Sequence, residues 1–143
     1  MQSIVKPEEP ALIRKIYTDY AVSFSKAEHL IFIGYSFPID DIPHLLTLMT
    51  MNIGEITKKK LSLIIYSSTK ELREETWFTL EKARKILEKT IRNNPNNNPD
   101  KLNLETLNNI LKISKKNNIR VSFLGFPDIL DKVKTKELIK WSV

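Results

Sequence analysis

The residues best suited to chemistry cluster in one short stretch, HLIFIGYSFPIDD, residues 29–41. An apolar run stops at Gly34, Tyr35 and Ser36 follow, and Asp40 and Asp41 come just before a segment that opens with Pro43. A glycine at the end of a strand can take a left-handed turn and let the backbone approach a ligand closely. In open α/β sheets, nucleotides bind at the carboxyl ends of the strands. Tyr35 and Phe37 flank the turn; they offer either aromatic faces for an adenine or packing against neighbouring helices. Asp40 or Asp41 reads as a helix N-cap, its carboxylate accepting a bond from a first-turn amide, and Pro43 suits that first turn. His44 follows Pro43 and could touch a ligand or serve as a partly exposed structural histidine. His29 opens the strand at its other end and is assigned no role.

Composition narrows the chemistry further. The chain of 143 residues has no cysteine and two histidines. Disulfides, a thiolate zinc site and a cysteine nucleophile are therefore excluded, and two distant histidines do not make a metal cluster. The expectation is no metal. No apolar run approaches the roughly 20 residues that cross a bilayer. The opening MQSIVKPEEP lacks a basic region followed by an apolar core, so it does not read as a signal peptide. A cytoplasmic location is the default. The formal net charge is +6. The lysines are dispersed over several segments, which favours a solvated surface; a dedicated nucleic-acid face is the alternative.

Three apolar, β-branched runs must position these residues. Leu30–Tyr35, Leu61–Tyr66 and Ile119–Leu124 read as strands buried on both faces, and Ile4–Val5 reads as a short fourth. Helices are expected over Glu9–Lys26, Ile42–Met51, Lys70–Arg92, Leu104–Lys116 and Ile129–Trp141. Residues 93–100, rich in Asn and Pro, read as an exposed loop rather than a domain boundary. Residues 1–143 then form a single α/β domain. It has three layers, with a small parallel sheet of three or four strands and helices on both faces, equivalent to half of a Rossmann-like fold.

LIFIGYSFPIDD resembles the signature of sirtuin-like domains of the divergent prokaryotic type: a buried strand, Gly-Tyr-Ser, a Phe-Pro step and acidic residues opening a helix. IVKPEEP and the step Ala27-Glu28-His29-Leu30 resemble the segments upstream of that signature, and LSLIIYSS and IRVSFLGF resemble later strands. Classical sirtuins carry Gly-Thr-Ser at the turn, so Tyr35 agrees with the divergent branch. The resemblance implies that Gly34, Tyr35 and Ser36, together with Ser67 and Ser68 at the end of the next strand, hold the adenosine side of NAD or ADP-ribose. Ser67 or Ser68 stands where many relatives carry asparagine.

The same resemblance implies that the catalytic parts are missing. The family's first half supplies a Gly-Ala-Gly-type phosphate loop, an Asn-x-Asp step and a histidine base, and no G-x-G occurs in this chain. The sequence therefore reads as the C-terminal half of such a domain: a nucleotide-binding half that is catalytically incompetent alone. The complete family acts as NAD-dependent deacylases or as NAD hydrolases in defence systems. The partners expected are an N-terminal half domain, or a second copy joined through an open sheet edge, and no membrane. The alternative is a basic α/β binding or scaffold module for an acidic protein or a nucleic acid.

Overall fold

A computed structural model describes residues 26–50 and 56–141. Among the described residues the strands are β1 (His29–Ile33), β2 (Lys60–Ile64), β3 (Phe78–Thr79) and β4 (Ile119–Ser122). The helices are α1 (Ile42–Met49), α2 (Leu80–Asn93), α3 (Asp100–Ile110), α4 (Phe126–Lys132) and α5 (Thr135–Ile139). The sheet order is β1-β2-β4-β3. β1, β2 and β4 run parallel, and β3 pairs antiparallel with β4. This is an α/β fold with an open, mostly parallel sheet, corresponding to half of a Rossmann-like unit.

The alternation of side chains along the strands sorts the core into two layers. Phe32, Leu61, Leu63, Ile119 and Val121 face Leu45 of α1, Ala83 and Leu87 of α2, and Leu107 and Ile110 of α3. The chain steps across the sheet in one direction from β1 to β2 to β4, and right-handed crossovers therefore lay α1, α2 and α3 on the same face. Ile64 and Leu124, with Ile31 and Ile33 beside them, face Ile129 of α4, Val133 just after it, and Leu138 of α5. Two covered faces explain why these strands read as continuous apolar runs.

Several boundaries differ from the sequence expectation. The long helix expected over Lys70–Arg92 is instead a 3-10 turn at Lys70–Arg73, the strand β3 and then α2. The periodicity misleads because Leu72 and Phe78, both buried, reach the same core from non-helical backbone. Thr79 starts the true helix, its hydroxyl accepting a bond from the Lys82 amide at 3.2 Å. The single helix expected over Ile129–Trp141 is two helices. The first begins at Phe126, after Gly125 at φ 78° and with Pro127 in the first turn. It ends because Val133 turns extended, at φ −129° and ψ 133°, and goes into the second core layer. α3 begins at Asp100 rather than Leu104, and the three predicted strands stop earlier, at Ile33, Ile64 and Ser122. Within residues 93–100, Asn94–Asn97 are exposed, whereas Asn98 and Asp100 are buried. The strand expected at Ile4–Val5 and all but Lys26 of the helix expected over Glu9–Lys26 lie outside the described residues.

Candidate functional site

The turn after β1 has the geometry its sequence suggests. Gly34 lies at φ 66°, and its amide donates to the Ile64 carbonyl at 2.8 Å, tying the turn to the end of β2. Phe37 is also left-handed, at φ 52°, a conformation disfavoured for an aromatic residue. Burial holds it there. Its ring lies 4.8 Å from that of Phe32 and 4.7 Å from that of Tyr35, centroid to centroid.

Tyr35 is buried, and its hydroxyl donates to Asp41 Oδ2 at 2.5 Å. Burial, followed by that bond and the Asp41 charge, pushes the Tyr35 phenol above its ordinary range. Both rings thus follow the packing reading. Asp41 occupies the N-cap position of α1 but makes no side-chain cap bond, which corrects the capping expectation: its carboxylate accepts from Tyr35 instead. Pro43 sits in the first turn as expected. His44 is half-buried, and burial pushes its pKa down.

Gly34→Val should therefore cost roughly 1–3 kcal/mol, because a β-branched residue is strained at positive φ. Ser36→Ala, at an exposed position, should stay within about 0.5 kcal/mol of the parent. Paired thermal melts check this, and equal melts would show that the turn relaxes around a side chain.

Beyond the turn the chain opens into a cleft of about 430 Å³. Ser36, Pro38 and Ile39 line one wall, and Leu102, Glu105, Thr106 and Asn109 of α3 line the other. Ile39 and Leu102 are 58% and 69% exposed, so both walls offer accessible apolar surface.

The end of β2 is built differently. Ser67 is buried, its hydroxyl donating to Asp100 Oδ1 at 2.8 Å, and Thr69 donates to Asp100 Oδ2 at 2.6 Å. Asn103 donates to Oδ1 of the same carboxylate at 3.0 Å and to the Tyr66 carbonyl at 3.1 Å. Ser67 thus anchors the start of α3, while Ser68 is exposed. The sequence reading missed Asp100; its only signal was Pro99-Asp100 opening a helix.

Arg73 carries no signal that local pattern could show. Its Nη1 donates to the carbonyls of Ser67, Phe123 and Leu124 at 3.2, 3.1 and 3.3 Å, and its Nη2 to Asp128. The guanidinium fills the notch between the carboxyl ends of β2 and β4. The cleft between the Gly34 turn and α3 lies at the same carboxyl edge of the sheet. Of the five sequence-predicted residues, Ser36 lines the cleft, Gly34 shapes its turn, Tyr35 and Ser67 are engaged in packing and anchoring, and Ser68 stands apart on the surface.

The basic run Lys58–Lys60 is only partly a solvated patch. Lys59 Nζ donates to the Ala27 carbonyl at 2.5 Å and Lys60 Nζ to Asn118 Oδ1 at 2.8 Å. Among the described residues no group of three or more His, Asp or Glu side chains could hold a metal, and no helix is long and apolar enough to cross a membrane. No family model, curated protein or solved structure matches this chain. The fold and the cleft at its carboxyl edge are what define the molecule's class: a Rossmann-like α/β half domain.

Proposed function

We propose that this chain binds the adenosine side of NAD or ADP-ribose in the cleft between the Gly34 turn and α3, and has no catalytic activity by itself. The observation that carries this reading is the position of Ser36 in a cleft at the carboxyl end of a parallel strand, where open α/β sheets take nucleotides. The cleft volume, about 430 Å³, falls in the range of small-ligand pockets. Ile39 and Leu102 supply apolar faces for a base. Ser36 and Glu105 supply a hydroxyl and a carboxylate for ribose hydroxyls, and a carboxylate accepting from a ribose diol is a recurring device. The chain's three glycines, Gly34, Gly54 and Gly125, form no G-x-G. A phosphate loop and a base must then come from another polypeptide segment, such as the first half of a sirtuin-like domain.

Titration with adenosine, ADP-ribose and nicotinamide mononucleotide, followed by NMR, tests the assignment. Adenosine and ADP-ribose should shift the signals of Ser36, Ile39 and Leu102, and nicotinamide mononucleotide should not. Ser36→Trp, at an exposed position, should abolish the shifts without unfolding the chain. No shift at millimolar ligand would overturn the reading. If heparin is retained while ADP-ribose is not, the basic scaffold module becomes the better account. Nicotinamide release from NAD by the purified chain should stay at background, and turnover that co-purifies with the protein would contradict catalytic incompetence.

A further inference from the structure

On the sheet face opposite α1, three polar side chains line up across three parallel strands. The register places Ile31 beside Ser62 and Ser62 beside Arg120, so His29, Ser62 and Arg120 project from the same face. Arg120 and Ser62 are buried, and His29 is half-buried. Arg120 Nε donates to Ser62 Oγ at 2.6 Å, and His29 Nε2 lies 2.6 Å from the same hydroxyl. His29 Nδ1 is 2.7 Å from the Ile139 carbonyl. A carbonyl only accepts, so Nδ1 carries the proton and Nε2 is left to accept from Ser62. The relay has one direction: Arg120 donates to Ser62, Ser62 to His29, and His29 to Ile139.

Both ends of this relay hold the same element. Arg120 Nη2 donates to the Leu138 carbonyl at 2.7 Å, so the last carbonyls of α5 are gripped from β1 and β4 together. Trp141, just beyond, meets the His29 ring edge-on at 5.6 Å, and the Arg120 guanidinium lies 5.3 Å from its centroid.

We infer that His29, Ser62 and Arg120 form a pH-sensitive latch that docks the C-terminal helix on the sheet and loosens when His29 takes up a proton. Protonation turns Nε2 from acceptor into donor. Ser62 Oγ would then face two donors, and its own proton would lose its acceptor. The new charge would also arise among cations: Arg120 on β4 and Lys60 on β2, whose Nζ lies 5.5 Å from the Trp141 ring centroid. Among the described residues no carboxylate pairs with His29, either on its own strand or on the elements packed against it.

Burial lowers the His29 pKa, the Arg120 charge lowers it further, and the bond to Ile139 only partly opposes this, so it falls below the ordinary value of 6.5. The folded state therefore binds fewer protons than the released state in the window beneath pH 6.5. The His29 contribution to docking is full above that value and is lost progressively as the pH falls below it, through the lower value of the docked state.

Hydrogen exchange on the full chain tests the latch at the amides of Leu138 and Lys140, which bond back to Lys134 and Lys136. After correction for intrinsic rates, their protection should be severalfold lower at pH 5.5 than at pH 7.5. In His29→Gln, which keeps an amide but cannot titrate, protection should be the same at both pH values. Equal protection at both pH values in the parent, or an equal fall in His29→Gln, would overturn the proposal. Should His29→Gln not fold, the parent alone decides. The His29 ring and the Trp141 indole must then titrate by NMR with one midpoint, and separate midpoints would overturn the latch. His44 lies on α1, on the other face, so its titration is read apart from both.

Discussion

Arg120→Ala is expected to destabilise the protein by roughly 3–5 kcal/mol, through a cavity and the loss of a buried charged donor. Arg120 is 0% exposed in the middle of the sheet, and burial pushes its pKa down to about 10, which leaves it charged at neutral pH. Its charge is held by geometry. Ser62 and the Leu138 carbonyl accept from it, and its guanidinium lies 3.7 Å from the Trp77 ring centroid. Truncation would empty a volume larger than a leucine and leave the Leu138 carbonyl without that donor. Arg120→Met restores the volume but neither bond, so it should fall between the parent and Arg120→Ala. Arg120→Lys keeps the charge but loses the planar fork that reaches two acceptors while lying on an indole. Urea unfolding with a shared m-value measures the series. A wild-type midpoint for Arg120→Ala would mean that the guanidinium does not hold the C-terminal helix to the sheet.

The second large effect is expected at the other end of β2. Asp100→Ala should cost roughly 2–4 kcal/mol, because it strips acceptors from donors at a buried position. Asp100 is 2% exposed, and Ser67, Thr69 and Asn103 all donate to its carboxylate. The Asp100 amide in turn donates to Asn98 Oδ1 at 2.9 Å, so one residue joins the Asn-rich loop, α3 and the segment after β2. Its negative charge also suits the amino end of α3. Asp100→Asn keeps one acceptor oxygen and should lose about half as much. Chemical unfolding gives the size of the effect, and protease nicking at Asn94–Asn97 reports its place, since a loosened α3 start should speed cleavage there. Unchanged unfolding and nicking in Asp100→Ala would show that the hydroxyls find water instead.

The two residues illustrate what a sequence conceals. IRVSF reads as a buried strand whatever its second residue does, and an arginine inside it gives no local sign of its acceptors. Those acceptors come from Ser62, 58 positions away in sequence, and from the Leu138 carbonyl on a helix yet to be formed. Asp100 read only as the last residue of an exposed loop, since Ser67 and Thr69 reach it across the β2-to-α3 connection. His29 and Ser62 likewise meet only because β1 and β2 pair in one register. A slip of one residue would send the two side chains to opposite faces.

The layered α/β class, three of the strands and the left-handed turn at Gly34 are legible in the residues alone. These rest on short-range physics: continuous β-branched runs suit strands covered on both faces, and a glycine between a strand and a helix start accommodates positive φ. Where periodicity alone was the guide it overran, merging Leu72 and Phe78 into one helix and carrying the last helix through Val133. Each of those residues reaches the core from extended or 3-10 backbone, and burial outweighs helical spacing there. Which hydroxyls remain accessible is settled by long-range packing. Ser36 faces a cleft that α3 lines from the other side, whereas Ser67 is withdrawn because the carboxylate that opens α3 lands on it. Local pattern cannot choose between those outcomes, since both depend on where a helix far along the chain comes to rest.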